Sequence, residues 1–281
     1  AAEGAGVDPL ALFAASGEEI WTVRPSQAGA REPVPGRCSD LVIGPPHTAD
    51  GHLWVAHNND LDEESEARLA AVEWRVPGEP VVFSLGIGPW ISVGWNSAGL
   101  SLTGNELSPN DERVGVPRLL MVREQLTATS LDEALAMALR PDRASSYNTV
   151  LAHRDGRAVN VEGSAGDAVV RALRAGETLA HTNHYVEPAM LRYEGDPAYA
   201  AHSAVRYERA CALLSGASAA RPGSVTLALL RAWLADHAGA PDSICRHPGV
   251  AAEAAAGEAA AGGETATNNV FWAIAAVNAG A

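Results

Sequence analysis

The stretch that most constrains this chain runs from Gly36 to Leu61 and reads GRCSDLVIGPPHTADGHLWVAHNNDL. Cys38 opens a short apolar run, Leu41 to Ile43, and Asp50-Gly51 supplies turn chemistry. A second run, Leu53 to Ala56, ends in the polar cluster His57-Asn58-Asn59-Asp60. Two β-prone runs around such a turn predict a hairpin. Antiparallel pairing returns the end of the second strand to the start of the first, so Cys38 is expected beside Asn58–Asp60 at one end of a sheet. A thiol next to a carboxylate and two amides is a candidate reactive centre.

The rest of the composition narrows the classes. A chain of 281 residues can bury a large core. With 34 acidic against 20 basic residues it lacks the clustered Lys and Arg that a phosphate backbone requires, so no nucleic-acid partner is expected. No apolar run approaches the length of a bilayer span, which predicts no membrane partner. Three cysteines, Cys38, Cys211 and Cys245, cannot pair completely; a reducing, cytoplasmic setting is expected. The opening AAEGAGVDPLALFAAS has neither a basic leader nor a long apolar core.

Along the chain, a short helix is predicted around Pro9–Ala15, then a Pro- and Gly-rich tether from Pro25 to Gly36, a natural cleavable connection. Strands are predicted at Ala70–Val76, Val81–Ile87, Ile91–Trp95 and Leu100–Thr103. Within GWNSAGLSLTGNEL a turn at Asn96–Gly99 feeds a strand that delivers Asn105, which on spacing alone reads as a turn cap. A helix follows, with Pro117 at its first position, and a second is opened by the capping box Ser130-Leu131-Asp132-Glu133. Strands return at Asn148–Ala152, Ala158–Glu162 and Ala168–Leu173. The run LAHTNHY then carries His181 and His184 three apart, with no Cys or carboxylate at zinc-like spacing; loop histidines are expected there and no metal.

Ser203 is expected to cap a helix ending at Gly216, with Tyr207, Cys211 and Leu214 on its apolar face and Arg206 and Arg209 on another. A further helix spans Val225 to His237. Cys245, within SICRHP, reads as structural, Ala251–Gly263 as a low-complexity loop, and Val270–Val277 as the closing strand. Strands, two helices, strands, two helices and a strand suit an α+β protein of two packed antiparallel sheets with helices outside.

Four spaced blocks carry a resemblance. The cysteine followed by Ser, the T-x-D-G turn and N-x-D; the G-x-N-x-x-G-L block ending at Asn105; Thr182-Asn183-His184; and the serine-led helix with Arg206 are together similar to the isopenicillin-N (acyl-CoA:6-aminopenicillanic acid) acyltransferase family of N-terminal nucleophile cysteine hydrolases. More distantly they resemble the bile-salt and penicillin-V amidases. The resemblance implies the four-layer αββα sandwich. It also implies a pro-segment, residues 1–37, cut from a catalytic domain, residues 38–281, at Arg37–Cys38. The implied roles are Cys38 as nucleophile, Asp60 orienting the freed amine, Asn183 with Asn105 as oxyanion donors, and Arg206 neutralising charge near the sulfur or a substrate carboxylate. Asn58, His57 and His184 would support the site. The amidases carry an Arg where this chain has His57, which favours the acyltransferase branch.

Chemically, a thiol needs a base, since free Cys has a pKa of about 8.5. His47, His52 and His57 lie on the hairpin with no marked relation to Cys38. A freed α-amine with a pKa near 7.7–8.0 would supply that base itself. The expected substrate is a small N-acyl compound, with acyl-CoA or an amine as further partners, no cofactor, the pro-segment as the chain's own partner, and self-association left open. Two other readings stand beside this one. The chain could be an unprocessed binding protein, or a Cys–His hydrolase in which His57 is essential and Arg37–Cys38 stays intact.

Overall fold

The computed structural model describes residues 2–15, 37–87, 90–247 and 267–277. The tether from Pro25 to Gly36 and the low-complexity run Ala251–Gly263 lie outside these residues. The architecture is the expected α+β sandwich. One antiparallel sheet has four strands in the order β10-β1-β2-β11: β1 is Arg37–Ile43, β2 Leu53–Asp62, β10 Leu179–His181 and β11 Thr267–Val277. The other has seven in sequence order, β3 to β9: Leu69–Trp74, Val82–Ile87, Trp90–Asn96, Leu100–Asn105, Asn148–His153, Ala158–Gly163 and Ala168–Ala172.

Alternation along each strand builds the layers, because successive side chains point to opposite faces. In β1 and β2, Leu41, Ile43, Trp54 and Ala56 pack outward under the helices Pro197–Ala219 and Leu227–Leu234, against Ala210, Leu214, Leu230 and Trp233. Val42, Leu53 and Val55 face inward and meet Val150, Ala152 and Ala158 of the larger sheet. The outer face of that sheet, through Leu100, Leu102, Leu151 and Val159, carries the helices Arg118–Gln125 and Leu131–Ala138 by way of Val122, Leu126, Leu131 and Ala134. The result is helix, sheet, sheet, helix.

The turns form for reasons written in the residues. Gly51 adopts φ 74°, open to glycine at little cost, while Asp50 Oδ1 accepts from His52 N at 3.0 Å and from Trp54 Nε1 at 3.1 Å. Asn96 spends its whole amide on structure. Its Oδ1 accepts from Ala98 N and Leu100 N, and its Nδ2 donates to Leu126 O and Ala128 O, tying the β5–β6 turn to the helix layer.

Several helix ends differ from expectation. Pro117 is the N-cap and Arg118 the first helical residue. Ser130 Oγ accepts from Glu133 N as a cap should, but Glu133 Oε2 reaches back to Thr129 N and Oγ1, one residue further than a capping box requires. Ser203 does not start its helix. Asp196 does, accepting from Tyr199 N with Pro197 behind it, so the helix begins about two turns earlier and runs on through Gly216 to Ala219. Thr226 caps the next helix, which ends at Leu234 rather than His237. A four-residue helix, Ala2–Ala5, precedes the expected Pro9–Ala15.

Candidate active site

The pairing of β1 with β2 sets Cys38 opposite Asn59, Ser39 opposite Asn58, Asp40 opposite His57 and Arg37 opposite Asp60. The predicted meeting of Cys38 with the polar cluster therefore occurs, but alternation splits it in two. Cys38, Asp40, His57 and Asn59 lie on the face toward the larger sheet; Ser39, Asn58 and Asp60 lie toward the helices.

On the inward face, the Cys38 thiol is buried and approaches Asn59 Oδ1 at 3.9 Å. Two residues along, His57 Nδ1 donates to Asp40 Oδ1 at 2.9 Å, both side chains fully buried. Burial opposes a charged imidazole, but the Asp40 carboxylate and the Cys38 sulfur more than offset it. The His57 pKa is raised from the ordinary 6.5 to about 10. This corrects the sequence expectation: His57 has a marked relation to Cys38. The signal was the register, since His57 sits two residues before the partner of Cys38 and faces Asp40 directly. On the larger sheet, Asn105 and Asn148 are paired neighbours. Asn148 Nδ2 donates to Asn105 Oδ1 at 2.9 Å, while Asn105 Nδ2, fully buried, has no hydrogen-bond partner among the described residues.

The backbone of Cys38 is held from both ends. Its N–H donates to Asn183 Oδ1 at 2.7 Å. Its carbonyl accepts from an Arg206 guanidinium nitrogen at 2.7 Å. The same guanidinium donates to Ser39 Oγ at 3.1 Å and to Asn183 Oδ1 at 2.8 Å. Asn183 Nδ2 donates to Glu106 O at 2.9 Å, so its amide N–H group is engaged in holding the loop after Asn105. Arg209, the other arginine of the pair, turns away to Asp236.

Ser203, inside its helix, hydrogen-bonds with Asn183 N, Thr182 Oγ1 and His184 Nδ1, clamping the Thr182-Asn183-His184 turn against the helix that carries Arg206. Burial, with His181 and the Arg206 guanidinium close by, lowers the His184 pKa to about 4. Both ring nitrogens of His181 face oxygens, Glu162 Oε1 and Thr182 O, each at 2.7 Å.

On the helix side, Asn58 Nδ2 donates to Leu234 O and Ile244 O, fixing the strand end to two segments of the helix layer. Asp60 is fully buried, and its charge is felt by the Cys245 thiol. Cys211 is half-buried against Tyr207 and the helix-side core. His237, Cys245 and His247 converge on one another, a grouping the sequence reading did not anticipate.

Two histidines with opposite shifts bracket the stability optimum. His184, depressed, contributes stability that is present above pH 6.5 and lost as pH falls toward 4. His57, raised, contributes stability that is present below pH 6.5 and lost as pH rises toward 10. Thermal unfolding followed across pH 4–10 is expected to show a maximum near neutrality. Asp40→Asn is expected to flatten its alkaline side; an alkaline limb unchanged in that variant would refute the pairing.

Two antiparallel sheets between helix layers, with a buried cysteine at the start of a central strand, define the N-terminal nucleophile hydrolase fold. The family model for acyl-coenzyme A:6-aminopenicillanic acid acyl-transferases matches residues 47–251, and the chain belongs to that family. The matched span contains Asn58, Asp60, Asn105, Asn183 and Arg206 and begins after Cys38. A variant of the conjugated bile acid hydrolase from Clostridium perfringens shares the fold at 11% identity and a TM-score of 0.55, over 86% of this chain and 87% of that one. An N-acylethanolamine-hydrolyzing acid amidase ortholog from Caenorhabditis elegans aligns at 14% identity and a TM-score of 0.47, over 71% of this chain and 86% of that one. No curated protein sequence matches the chain. No helix among the described residues is long and apolar enough to cross a membrane.

Proposed function

We propose that this chain is a self-processing cysteine amidase or acyltransferase that carries an acyl group as a Cys38 thioester. One observation carries the reading: Cys38 is gripped by its own amide N–H and carbonyl, through Asn183 and Arg206, at a peptide bond that follows a Pro- and Gly-rich tether. In processing, the Cys38 sulfur attacks the Arg37 carbonyl carbon. The Arg37–Cys38 C–N bond breaks, the nitrogen takes up the thiol proton, and water hydrolyses the resulting thioester. The freed α-amine then serves as base in each turnover. It takes the thiol proton as sulfur attacks the substrate amide and returns it to the leaving amine. Water or an amine acceptor completes the cycle.

Asn105 Nδ2 is the buried donor with capacity for a developing oxyanion, and Asn183 holds the amine. His57, kept protonated by Asp40, is a fixed positive charge beside the sulfur and favours thiolate. A cavity of about 560 Å³ runs between the sheets, walled by Val55, Leu85, Val93, Trp95 and Thr103. Thr103 is two residues before Asn105 on the same face, so the cavity suits an apolar acyl group leading away from the thiol. Asn105→Ala is expected to lower kcat by about 10²–10³ with little change in KM, as loss of one oxyanion donor does.

Intact-mass spectrometry of the purified chain under denaturing conditions tests the proposal. Two fragments parting between Arg37 and Cys38 are expected; a chain that stays whole while turning over substrate overturns it. The Cys38–His57–Asp40 alignment favours one rival, a Cys–His hydrolase without processing. His57→Ala separates them. Under the N-terminal nucleophile mechanism processing persists and activity falls by less than about 10²; a general base is typically worth 10²–10⁴, so a larger loss would support the rival.

A further inference from the structure

Outside the site around Cys38, the described residues hold one cluster with the chemistry of a metal centre. The helix Leu227–Leu234 ends three residues before His237. The chain then returns alongside that helix end, where Cys245 N–H donates to Asp236 O at 2.9 Å. Asn58 clamps both segments through Leu234 O and Ile244 O, and Ser243 Oγ donates to Cys245 O at 2.5 Å. These bonds fix the backbone on both sides of the three side chains, so their convergence is built into the fold.

Cys245 is buried at the base of the cluster, while His237 and His247 are exposed and open it to solvent. One nitrogen of each ring and the Cys245 sulfur all lie within 4.8 Å of one another. Cys245 Sγ to His247 Nε2 is 3.3 Å, and the two imidazoles stack with centroids 5.3 Å apart. Around a tetrahedral zinc ion, bond lengths of about 2.3 Å to sulfur and 2.0–2.1 Å to nitrogen set neighbouring ligand atoms about 3.5 Å apart. Bringing the widest pair to that spacing takes a closure of no more than about 1.3 Å, within reach of two exposed histidines. A thiolate with two imidazoles is a soft donor set that suits zinc rather than magnesium or calcium.

We infer that His237, Cys245 and His247 form a zinc site. Three protein ligands leave one tetrahedral position for water or another donor. On coordination, the Cys245 thiol proton passes to solvent, so binding strengthens as pH rises. The nearby Asp60 carboxylate adds favourable field for a divalent cation. The ion would lock the return segment to the helix end and, through Asn58, to the strand end that carries Asp60. This inference does not depend on the acyl-transfer reading, because the three ligands are separate from Cys38 and its partners.

The test is titration of the full, chelator-stripped chain with zinc by calorimetry, together with the thiolate charge-transfer absorption of the cobalt-substituted protein. One equivalent is expected to bind, with a rise in Tm, and Cys38→Ala is expected to leave the binding unchanged. Changes to groups merely supporting metal ligands cost 10–100-fold, so His237→Ala, His247→Ala and Cys245→Ser are each expected to weaken binding by at least about 100-fold. His237 and His247 are exposed, so those variants report even where Cys245→Ser folds poorly. Absence of saturable binding at micromolar zinc overturns the assignment. So does binding that survives His237→Ala and His247→Ala, or binding that disappears with Cys38→Ala.

Discussion

Cys38→Ala is expected to yield a single uncut chain and to lower acyl transfer by a factor on the order of 10⁴ or more, the scale on which removing a nucleophile acts. The size follows from the double use of one residue. Cys38 supplies the sulfur that breaks the Arg37–Cys38 bond, and its own amine, once exposed, is the base for turnover. Both functions fall together, and neither Asn59 nor His57 can replace a sulfur nucleophile. The fold is expected to survive, because Asn183 and Arg206 bind the backbone of residue 38 rather than its side chain. Cys38→Ser sharpens the test. It keeps an attacking atom of lower reactivity, so slow cleavage over hours is expected from it and none from Ala. Cys211→Ala, in the helix-side core, is the thiol control. A processed and active Cys38→Ala protein would refute the mechanism outright.

Much of this arrangement was legible because strands write their geometry in alternation. Leu41, Ile43, Trp54 and Ala56 on one face, with Val42, Leu53 and Val55 on the other, require a sheet buried on both sides. The Asp50-Gly51 turn then fixes which end of β2 meets Cys38. The same alternation, followed two residues further, would have put Asp40 and His57 on the face of Cys38. Reading the polar run as one cluster hid that division.

The bounds of the helices were less legible for a different reason. Ser203 looks like a cap in isolation, but Asp196-Pro197 is a stronger start, and the Ser203 hydroxyl is drawn into the helix side to clamp Asn183 and His184. Gly216 looks like a stop, yet a helix packed along its length against the core runs through it. His237, Cys245 and His247 converge through a loop return held by Asp236 and Asn58. No local spacing rule records such a return.

Arg206→Ala is expected to cost about 3–5 kcal/mol of stability, the range for breaking a buried charged network. At about 2–4 °C per kcal/mol for a domain of this size, Tm should fall on the order of 10 °C. Arg206 is fully buried at the centre of the 23-residue helix Pro197–Ala219. Its fork reaches Cys38 O, Ser39 Oγ and Asn183 Oδ1 together, joining helix, strand β1 and the turn after β10. Alanine takes a charged donor from three buried acceptors, of which Asn183 Oδ1 keeps the Cys38 N–H, and leaves a large void, and both losses add. Lysine keeps the charge but cannot spread donors over three acceptors, so Arg206→Lys is expected to recover less than half of the loss. The consequence for chemistry separates this residue from an ordinary structural arginine. With Arg206 gone, the Cys38 carbonyl and the Asn183 amide lose their common anchor, so processing measured well below the new Tm should slow by about 10² or more, since misplacement of about 1 Å alone can cost that much. A variant that loses stability yet processes at the normal rate would show that Arg206 braces the fold without aligning the scissile bond.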